Sequence, residues 1–145
     1  MRVLVIIKAN KDSEAGKLPS QKLLAAMTKF NEELVNAGVM QGGEGLHPSS
    51  KAKRVRFTTT SKTVIDGPFT ETKELVAGFW IWKVKDIDEA VEWVKRIPNP
   101  DDEMTEPSEI EIRPIFDPAD FGEHLTEDVR DQDQRLRDRI AKQNR

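Results

Sequence analysis

The most apolar stretch of the chain is Val76–Val84, with the sequence VAGFWIWKV, and it decides the fold class. Apolar side chains occupy both alternating sets of positions in this stretch, as they do in Arg2–Ala9 near the start of the chain. A strand with two apolar faces lies in the middle of a sheet, because only there are both faces covered. The sequence therefore predicts a sheet with two central strands, Arg2–Ala9 and Val76–Val84.

Two amphipathic segments predict helices that cover one face of this sheet. The first opens at Pro19-Ser20, and its apolar residues recur at three- and four-residue spacings as far as Val35. Gly38 follows its last turn, and we expect the helix to end there. The second helix is capped by Asp86, with Glu89 three residues later, and ends before Pro98.

Shorter segments supply the remaining strands and connections. Residues 10–17 are polar and contain a glycine, which predicts a loop, and the acidic, proline-bounded residues 99–107 predict another. The further strands are expected at 39–48, 53–60, 63–65 and 108–116.

The resulting order is βαββ(β)αβ, which predicts a ferredoxin-like α+β sandwich. Two helices cover only one face of the sheet, so we expect a second copy to cover the other face in a dimeric α+β barrel. Residues 1–116 form this predicted domain, and residues 117–145 form a charged C-terminal helical extension. That extension carries a thin apolar stripe of Leu125, Val129, Leu136 and Ile140.

The composition of the 145 residues excludes several classes of protein. The absence of cysteine excludes disulfides, thiolate zinc sites and iron–sulfur clusters, and the two histidines have no metal-binding spacing, so we expect neither metal nor cofactor. A net charge of −3 argues against a nucleic-acid partner. No apolar run approaches the roughly 18–20 residues of a membrane span, and no signal-peptide pattern opens the chain. We expect a soluble, cytoplasmic homodimer.

His47 is the first candidate for chemistry, because it follows the glycine-rich strand where loops gather. A general base needs an orienting acid, and Glu44 lies three residues earlier. Strand positions three apart point to opposite faces, so only a bend at Gly45 would join the two side chains. The alternative is an exposed structural histidine, and His124 in the polar tail is interpreted in the same way.

The segment from Asp66 to Glu74 is the second candidate. Asp66-Gly67-Pro68-Phe69 has the composition of a turn, in which the Asp66 carboxylate accepts hydrogen bonds from the following amides. The alternative places Asp66, Lys73 and Glu74 at the rim of a cleft. Together with Glu44 and His47, these three residues form the predicted ligand-binding set, and His47 and Asp66 are the catalytic candidates.

Two further groups admit a structural and a functional interpretation. Arg54 and Arg56 share one face of their strand, as Glu109, Glu111 and Arg113 share one face of theirs. Either cross-strand ion pairs or an anion pocket would explain them. Trp80 and Trp82 also share a face, where they either pack in the core or wall an aromatic pocket.

The turn Asp66–Phe69 and the residues Glu71–Glu74 after it resemble the DGPF motif of the YCII-related (YciI-like) family. Glu44–Leu46, Gly78-Phe79 and Glu111–Pro114 fall where members of this family carry similar residues. The resemblance covers residues 1–116 and implies a dimeric ferredoxin-like α+β barrel.

The resemblance implies less about activity. Some YciI-like proteins are regarded as enzymes that pair a histidine on the first helix with an aspartate, and one relative is a dehydrochlorinase of chlorinated aromatics. The corresponding position here is near Met27, and the first helix contains no histidine. Other DGPF-type proteins are encoded beside extracytoplasmic-function sigma factors, which implies an accessory or sensing role.

Three functions follow as hypotheses. The first is a small-molecule binding protein, regulatory or accessory, with a pocket in the dimeric barrel. The second is a cofactor-independent enzyme, a lyase or oxygenase-like activity on a small aromatic substrate, with His47 or Asp66 transferring a proton and an arginine holding an anionic oxygen. The third is a structural or interaction dimer that docks through its C-terminal helix.

Overall fold

The computed structural model describes residues 1–99 and 108–145 and divides into two units, Met1–Pro114 and Ile115–Arg145. Of the predicted acidic loop, residues 100–107 lie outside the described residues. The strands are β1 (Arg2–Lys8), β2 (Met40–Gly45), β3 (Lys53–Phe57), β4 (Lys62–Asp66), β5 (Val76–Lys83) and β6 (Ile110–Pro114). The helices are α1 (Lys11–Glu14), α2 (Gln21–Asn36), α3 (Ile87–Lys95) and α4 (Glu127–Gln143).

Four of the strands form an antiparallel sheet in the order β2-β5-β1-β6. With α2 between β1 and β2, and α3 between β5 and β6, this is the ferredoxin-like α+β arrangement that the sequence predicts. The two strands with apolar residues on both faces, β1 and β5, occupy the two central positions, as expected. β3 and β4 pair only with each other in the described structure, as a separate two-stranded sheet.

The core lies between the sheet and its two helices. Val5 of β1 is opposite Trp80 of β5, and both are buried against Phe30 and Leu34 of α2 and Ala90 of α3. The Trp80 and Trp82 rings are 5.5 Å apart, and at most 4% of either side chain is exposed. The two tryptophans therefore pack in the core, and the alternative of an aromatic pocket is wrong.

The ends of the long helices follow the sequence signals. The Ser20 hydroxyl accepts from the amide of Leu23 at 3.0 Å at the start of α2, and the Asp86 carboxylate accepts from the amide of Glu89 at 2.9 Å at the start of α3. Gly38, just after α2, has a φ of +72°, which favours glycine.

The predicted loop 10–17 differs from the structure, because it contains the short helix α1. The Asn10 side chain accepts from the amide of Ser13 at 2.8 Å, while the Asn10 amide donates to the Ser13 hydroxyl at 2.9 Å. This reciprocal capping stabilises a single turn. A four-residue helix is too short to show a hydrophobic period, so the sequence pattern did not indicate it.

The second unit contains a 3-10 segment, Pro118–His124, and the long helix α4. The Phe116 and Phe121 rings stack with centroids 5.0 Å apart. Most side chains of α4 are exposed. Within the two described ranges, no helix has both the length and the apolar character that crossing a membrane requires.

Candidate functional site

The turn Asp66–Phe69 packs directly on the 3-10 helix Ser49–Lys51 that precedes β3. The Gly67 amide donates to the Ala52 carbonyl at 3.0 Å, and the Gly67–Pro68 peptide bond is cis. A Cβ atom added to Gly67 would lie 1.7 Å from the Ser49 carbonyl oxygen. Only glycine allows the two backbones to approach so closely.

A buried serine joins this turn to α1. The hydroxyl of Ser49, which is only 6% exposed, donates to the Glu14 carboxylate at 2.5 Å and accepts from the Phe69 amide at 3.0 Å. The other Glu14 carboxylate oxygen accepts from the Ser49 amide at 3.0 Å. We call Glu14, Ser49 and Phe69 the serine clamp. It holds together three segments that are far apart in sequence.

Charged side chains of β3 flank the turn. The Arg54 guanidinium lies 3.8 Å above the centre of the Phe69 ring, in a cation–π contact. Lys53 is the cross-strand neighbour of Asp66, and its ammonium donates to the Asp66 carboxylate at 2.6 Å. Both partners of this ion pair are well exposed, so it adds little to stability.

The serine clamp and the turn enclose one side of an open cavity of about 510 Å³. Six apolar or proline side chains line it, namely Leu46, Pro48, Ala52, Phe69, Leu75 and Val76. The ionic side chains that line it are Glu14, His47, Lys51, Lys53, Arg54 and Glu74. Its volume lies within the range of small-molecule sites, and its lining is both apolar and charged.

The structure places the predicted site residues in different surroundings. His47 and Glu74 line the cavity, whereas Glu44 and Asp66 are not among its lining residues. Lys73 belongs to the 3-10 helix Thr72–Glu74, but its side chain lies outside the described part of the structure.

The structure does not bring His47 together with Glu44, its predicted orienting acid. Glu44 lies on β2 opposite Phe79 and is exposed, and no hydrogen bond in the described residues joins it to His47. The Asp66 carboxylate contacts Lys53 rather than the amides of its own turn in the part of the chain described. His47 therefore reaches the cavity without an orienting carboxylate from either residue.

Sequence reasoning missed Glu14 and Ser49. They are 35 residues apart, and neither belongs to a recognisable motif, so no local signal relates them. Phe69 was visible as the last residue of the DGPF stretch. A turn amide that needs an acceptor outside the turn is a signal that could have indicated such a contact, but it does not identify the acceptor.

The remaining charged group that the sequence singled out has a structural explanation. Glu111 on β6 pairs with Lys8 at 3.6 Å and with Arg113 at 2.5 Å. These ion pairs lie on the face of the sheet opposite the helices. Among residues 1–99 and 108–145, no three His, Asp or Glu side chains come close enough together to hold a metal ion.

Two known proteins are similar to this chain in sequence or in structure. A protein of uncharacterized function from Rhizobium meliloti (strain 1021) is 26% identical over 99 residues, which are 68% of this chain and 77% of that protein. Among solved structures, 5-chloro-2-hydroxyhydroquinone dehydrochlorinase (TftG) from Burkholderia phenoliruptrix, in complex with 2,5-dihydroxybenzoquinone, aligns with a TM-score of 0.40 and 19% identity. That alignment covers 77% of this chain and 91% of the dehydrochlorinase. The model of the YCII-related domain matches residues 1–117, and the chain therefore belongs to the YCII-related family.

Proposed function

We propose that this chain is a small-molecule binding protein, with a regulatory or accessory role, whose ligand occupies the cavity beside the DGPF turn. The observation that carries the proposal is the cavity itself, about 510 Å³ and lined by both apolar and charged side chains. Ligand pockets combine apolar walls, which supply affinity, with a few polar groups that orient the ligand.

The serine clamp supports this proposal because it fixes the wall of the cavity before any ligand arrives. Ser49 is buried and its hydroxyl is used both as donor and as acceptor, so the turn that carries Phe69 is held in place. A preformed wall lowers the entropy cost of binding. The DGPF stretch is thus a structural part of the proposed site, and we assign the chain to the DGPF-motif subgroup on these residues.

The test is a thermal-shift screen with aromatic acids and hydroxylated ring compounds, followed by calorimetric titration of any compound that raises Tm. A ligand at one hundred times its Kd stabilises the folded state by about 2.7 kcal/mol. Leu46→Trp places a large ring at the cavity and should abolish the shift. Val64→Trp, on the exposed hairpin away from the lining, is the matched control and should keep it.

A panel that stabilises both variants equally would show that the ligand binds elsewhere. If no compound raises Tm, and Leu46→Trp has the same Tm as the wild type, the result would instead favour the third hypothesis, a structural or interaction dimer.

A second candidate function is a cofactor-independent lyase or oxygenase-like enzyme acting on a small aromatic substrate. The observation that favours it is that His47, one of two histidines in the chain, lines the cavity together with Arg54. His47 would accept a proton, and Arg54 would hold an anionic oxygen. Asp66 is less suited to this role, because its carboxylate is paired with Lys53.

The enzyme proposal is tested by following the absorbance of hydroxylated aromatic compounds in the presence of the protein. His47→Ala should lower turnover by at least about 100-fold, in the range of a lost general base. His124→Ala, in the second unit, should leave it unchanged. Equal activity in both variants would exclude His47 as the proton-transfer group.

We also propose that the protein is a cytoplasmic homodimer that pairs through the face of the sheet opposite the helices. The cross-strand neighbours Leu4 and Ile81, and Ile6 and Phe79, form an apolar patch on that face. Phe79→Glu should convert the dimer to a monomer in light-scattering mass measurements. Val35→Glu, an equally drastic change on the exposed side of α2, should not. A wild-type protein that is monomeric at all concentrations would reject this proposal.

A further inference from the structure

The helix α4 carries an exposed apolar stripe. Val129, Leu136 and Ile140 are 52%, 47% and 55% exposed, respectively. The positions Val129, Asp133, Leu136 and Ile140 are separated by four, three and four residues. At about 100° per residue, these four positions lie within about 60° of arc on the helix. This is the narrow seam that pairs two helices in a coiled coil, rather than the broad face that packs on a sheet.

The charges of α4 are divided between its two halves. Residues 127–134 contain four acidic side chains and one arginine, a net charge of −3. Residues 135–142 contain four basic side chains and Asp138, a net charge of +3. Acidic residues in the first turn and basic residues in the last turn suit the helix dipole, but here the separation continues through the middle of the helix, where the dipole has little effect.

We propose that two copies of this chain pair through α4 in antiparallel orientation. In an antiparallel pair of identical helices, residues at the same level have residue numbers with a constant sum. In the register proposed, Val129 therefore lies against the partner's Ile140, and Asp133 lies against the partner's Leu136. The acidic half of each helix then faces the basic half of the other. The occupant of the exposed stripe is therefore the same stripe on a second copy, in a symmetric contact.

The charges favour the antiparallel over the parallel arrangement. A parallel pair would place the Asp133 carboxylate against the partner's Asp133 inside the seam, and like charges there are costly. In the antiparallel pair, the closest like charges are Arg130 and the partner's Arg137. The Arg137 guanidinium already donates to the Asp133 carboxylate at 2.8 Å, which offsets this repulsion.

The pairing of α4 does not rest on the proposed cavity or on the proposed contact between sheets. A helix of 17 residues is about 25 Å long and gives only a weak contact by itself. If the sheets also pair, the two copies of α4 are held at high effective concentration, which strengthens the same contact.

Cysteine cross-linking tests the register directly, since the chain has no cysteine of its own. Full-length Val129→Cys and Ile140→Cys chains, carrying tags of different mass, are co-expressed, oxidised without denaturant and separated on a non-reducing gel. We expect the mixed 129–140 dimer to exceed either 129–129 or 140–140 dimer at least tenfold. Circular dichroism of each variant checks that α4 is retained.

The matched control is the pair Asp131→Cys and Asp138→Cys. These positions have the same sum of residue numbers but lie on the opposite side of α4, so they should cross-link at least tenfold less. Leu136→Asp, added to the 129 and 140 cysteine chains, should also abolish the mixed product, whereas Leu136→Met should keep it. Cross-linking of 129 to 129, or a mixed product no greater than the control, would overturn the proposal.

Discussion

At the scale of single residues, Ser49 connects two other segments of the candidate site, although no motif identifies it. Its hydroxyl and amide make three hydrogen bonds, two to Glu14 and one to Phe69. Because Ser49 is buried, water does not replace a bond that is lost there. The Ser49 hydroxyl therefore joins the turn to Glu14 through two of these bonds.

We predict that Ser49→Ala lowers the free energy of unfolding by about 1–3 kcal/mol, because the Phe69 amide and one Glu14 oxygen lose their partner. Urea denaturation measures this change. Ser50→Ala, at the exposed neighbouring position, should stay within about 0.5 kcal/mol of the wild type. Equal stability of the two variants would show that the clamp is energetically unimportant.

The two core tryptophans allow a second comparison between single residues. The Trp80 indole donates to the Asn31 side chain at 2.9 Å, whereas the Trp82 indole nitrogen is buried without an acceptor in the described structure. Both changes to phenylalanine remove the same ring atoms, but only Trp80→Phe breaks a hydrogen bond. We predict that Trp80→Phe is less stable than Trp82→Phe by about 1 kcal/mol, measured by urea denaturation. The reverse order would contradict this prediction.

At the scale of elements, the site is built where three short segments meet. The helix α1, the 3-10 helix Ser49–Lys51 and the turn Asp66–Phe69 each contain only three or four residues. None of them would be stable alone, because helix formation in so short a segment is unfavourable. Their mutual hydrogen bonds hold them in place, so a change in one segment should disturb the others.

We predict that Gly67→Ala separates the turn from the 3-10 helix, because its Cβ would meet the Ser49 carbonyl oxygen at 1.7 Å. The backbone must move, and we expect the free energy of unfolding to fall by at least about 2 kcal/mol. We also expect the variant to lose any rise in Tm that a ligand causes in the wild type. Gly45→Ala, where nothing lies within 4 Å of the added atom, should change stability by less than about 1 kcal/mol. A stable Gly67→Ala protein with normal binding would refute the close packing.

At the scale of the whole molecule, the hydrophobic core belongs to the first unit alone. All residues of the core cluster, and the half-buried side chains packed on it, lie between Val3 and Ile112. The three tryptophans, Trp80, Trp82 and Trp93, lie in the same unit. The YCII-related match ends at residue 117, close to the boundary between the two units.

We predict that a chain ending at Asp117 folds with its core intact. Its near-ultraviolet circular dichroism, which reports the packing of the three tryptophans, should match that of the full chain, and its free energy of unfolding should agree within about 1 kcal/mol. Loss of the tryptophan signal would mean that the core needs the second unit. This truncation also removes α4, and we expect any association through α4 to disappear with it.

Much of the fold could be predicted from the sequence because its signals are local. Apolar residues on both faces of Arg2–Ala9 and Val76–Val84 placed these strands at the centre of the sheet. Ser20 and Asp86 marked the starts of two helices through the capping bonds that the structure contains. The helix α1 could not be predicted from hydrophobic periodicity, because a single turn is too short to show a period.

The candidate site was predictable only in part. The DGPF stretch indicated a turn. His47 and Glu74 were predicted to bind a ligand; both line the cavity, and ligand binding there stays a prediction. The contacts that build the cavity join Glu14 to Ser49 and Ser49 to Phe69, over 35 and 20 residues. No spacing rule relates residues that only the folded chain brings together.

The sequence by itself determined the order of the strands and the long helices, the two central strands and the caps of those helices, since periodicity and capping act over a few residues. Only the tertiary structure decided that β3 and β4 form a sheet of their own, that Asp66 pairs with Lys53 and that Ser49 is buried beneath the DGPF turn. Which polar groups meet depends on how distant segments pack, and packing is settled by the whole chain at once.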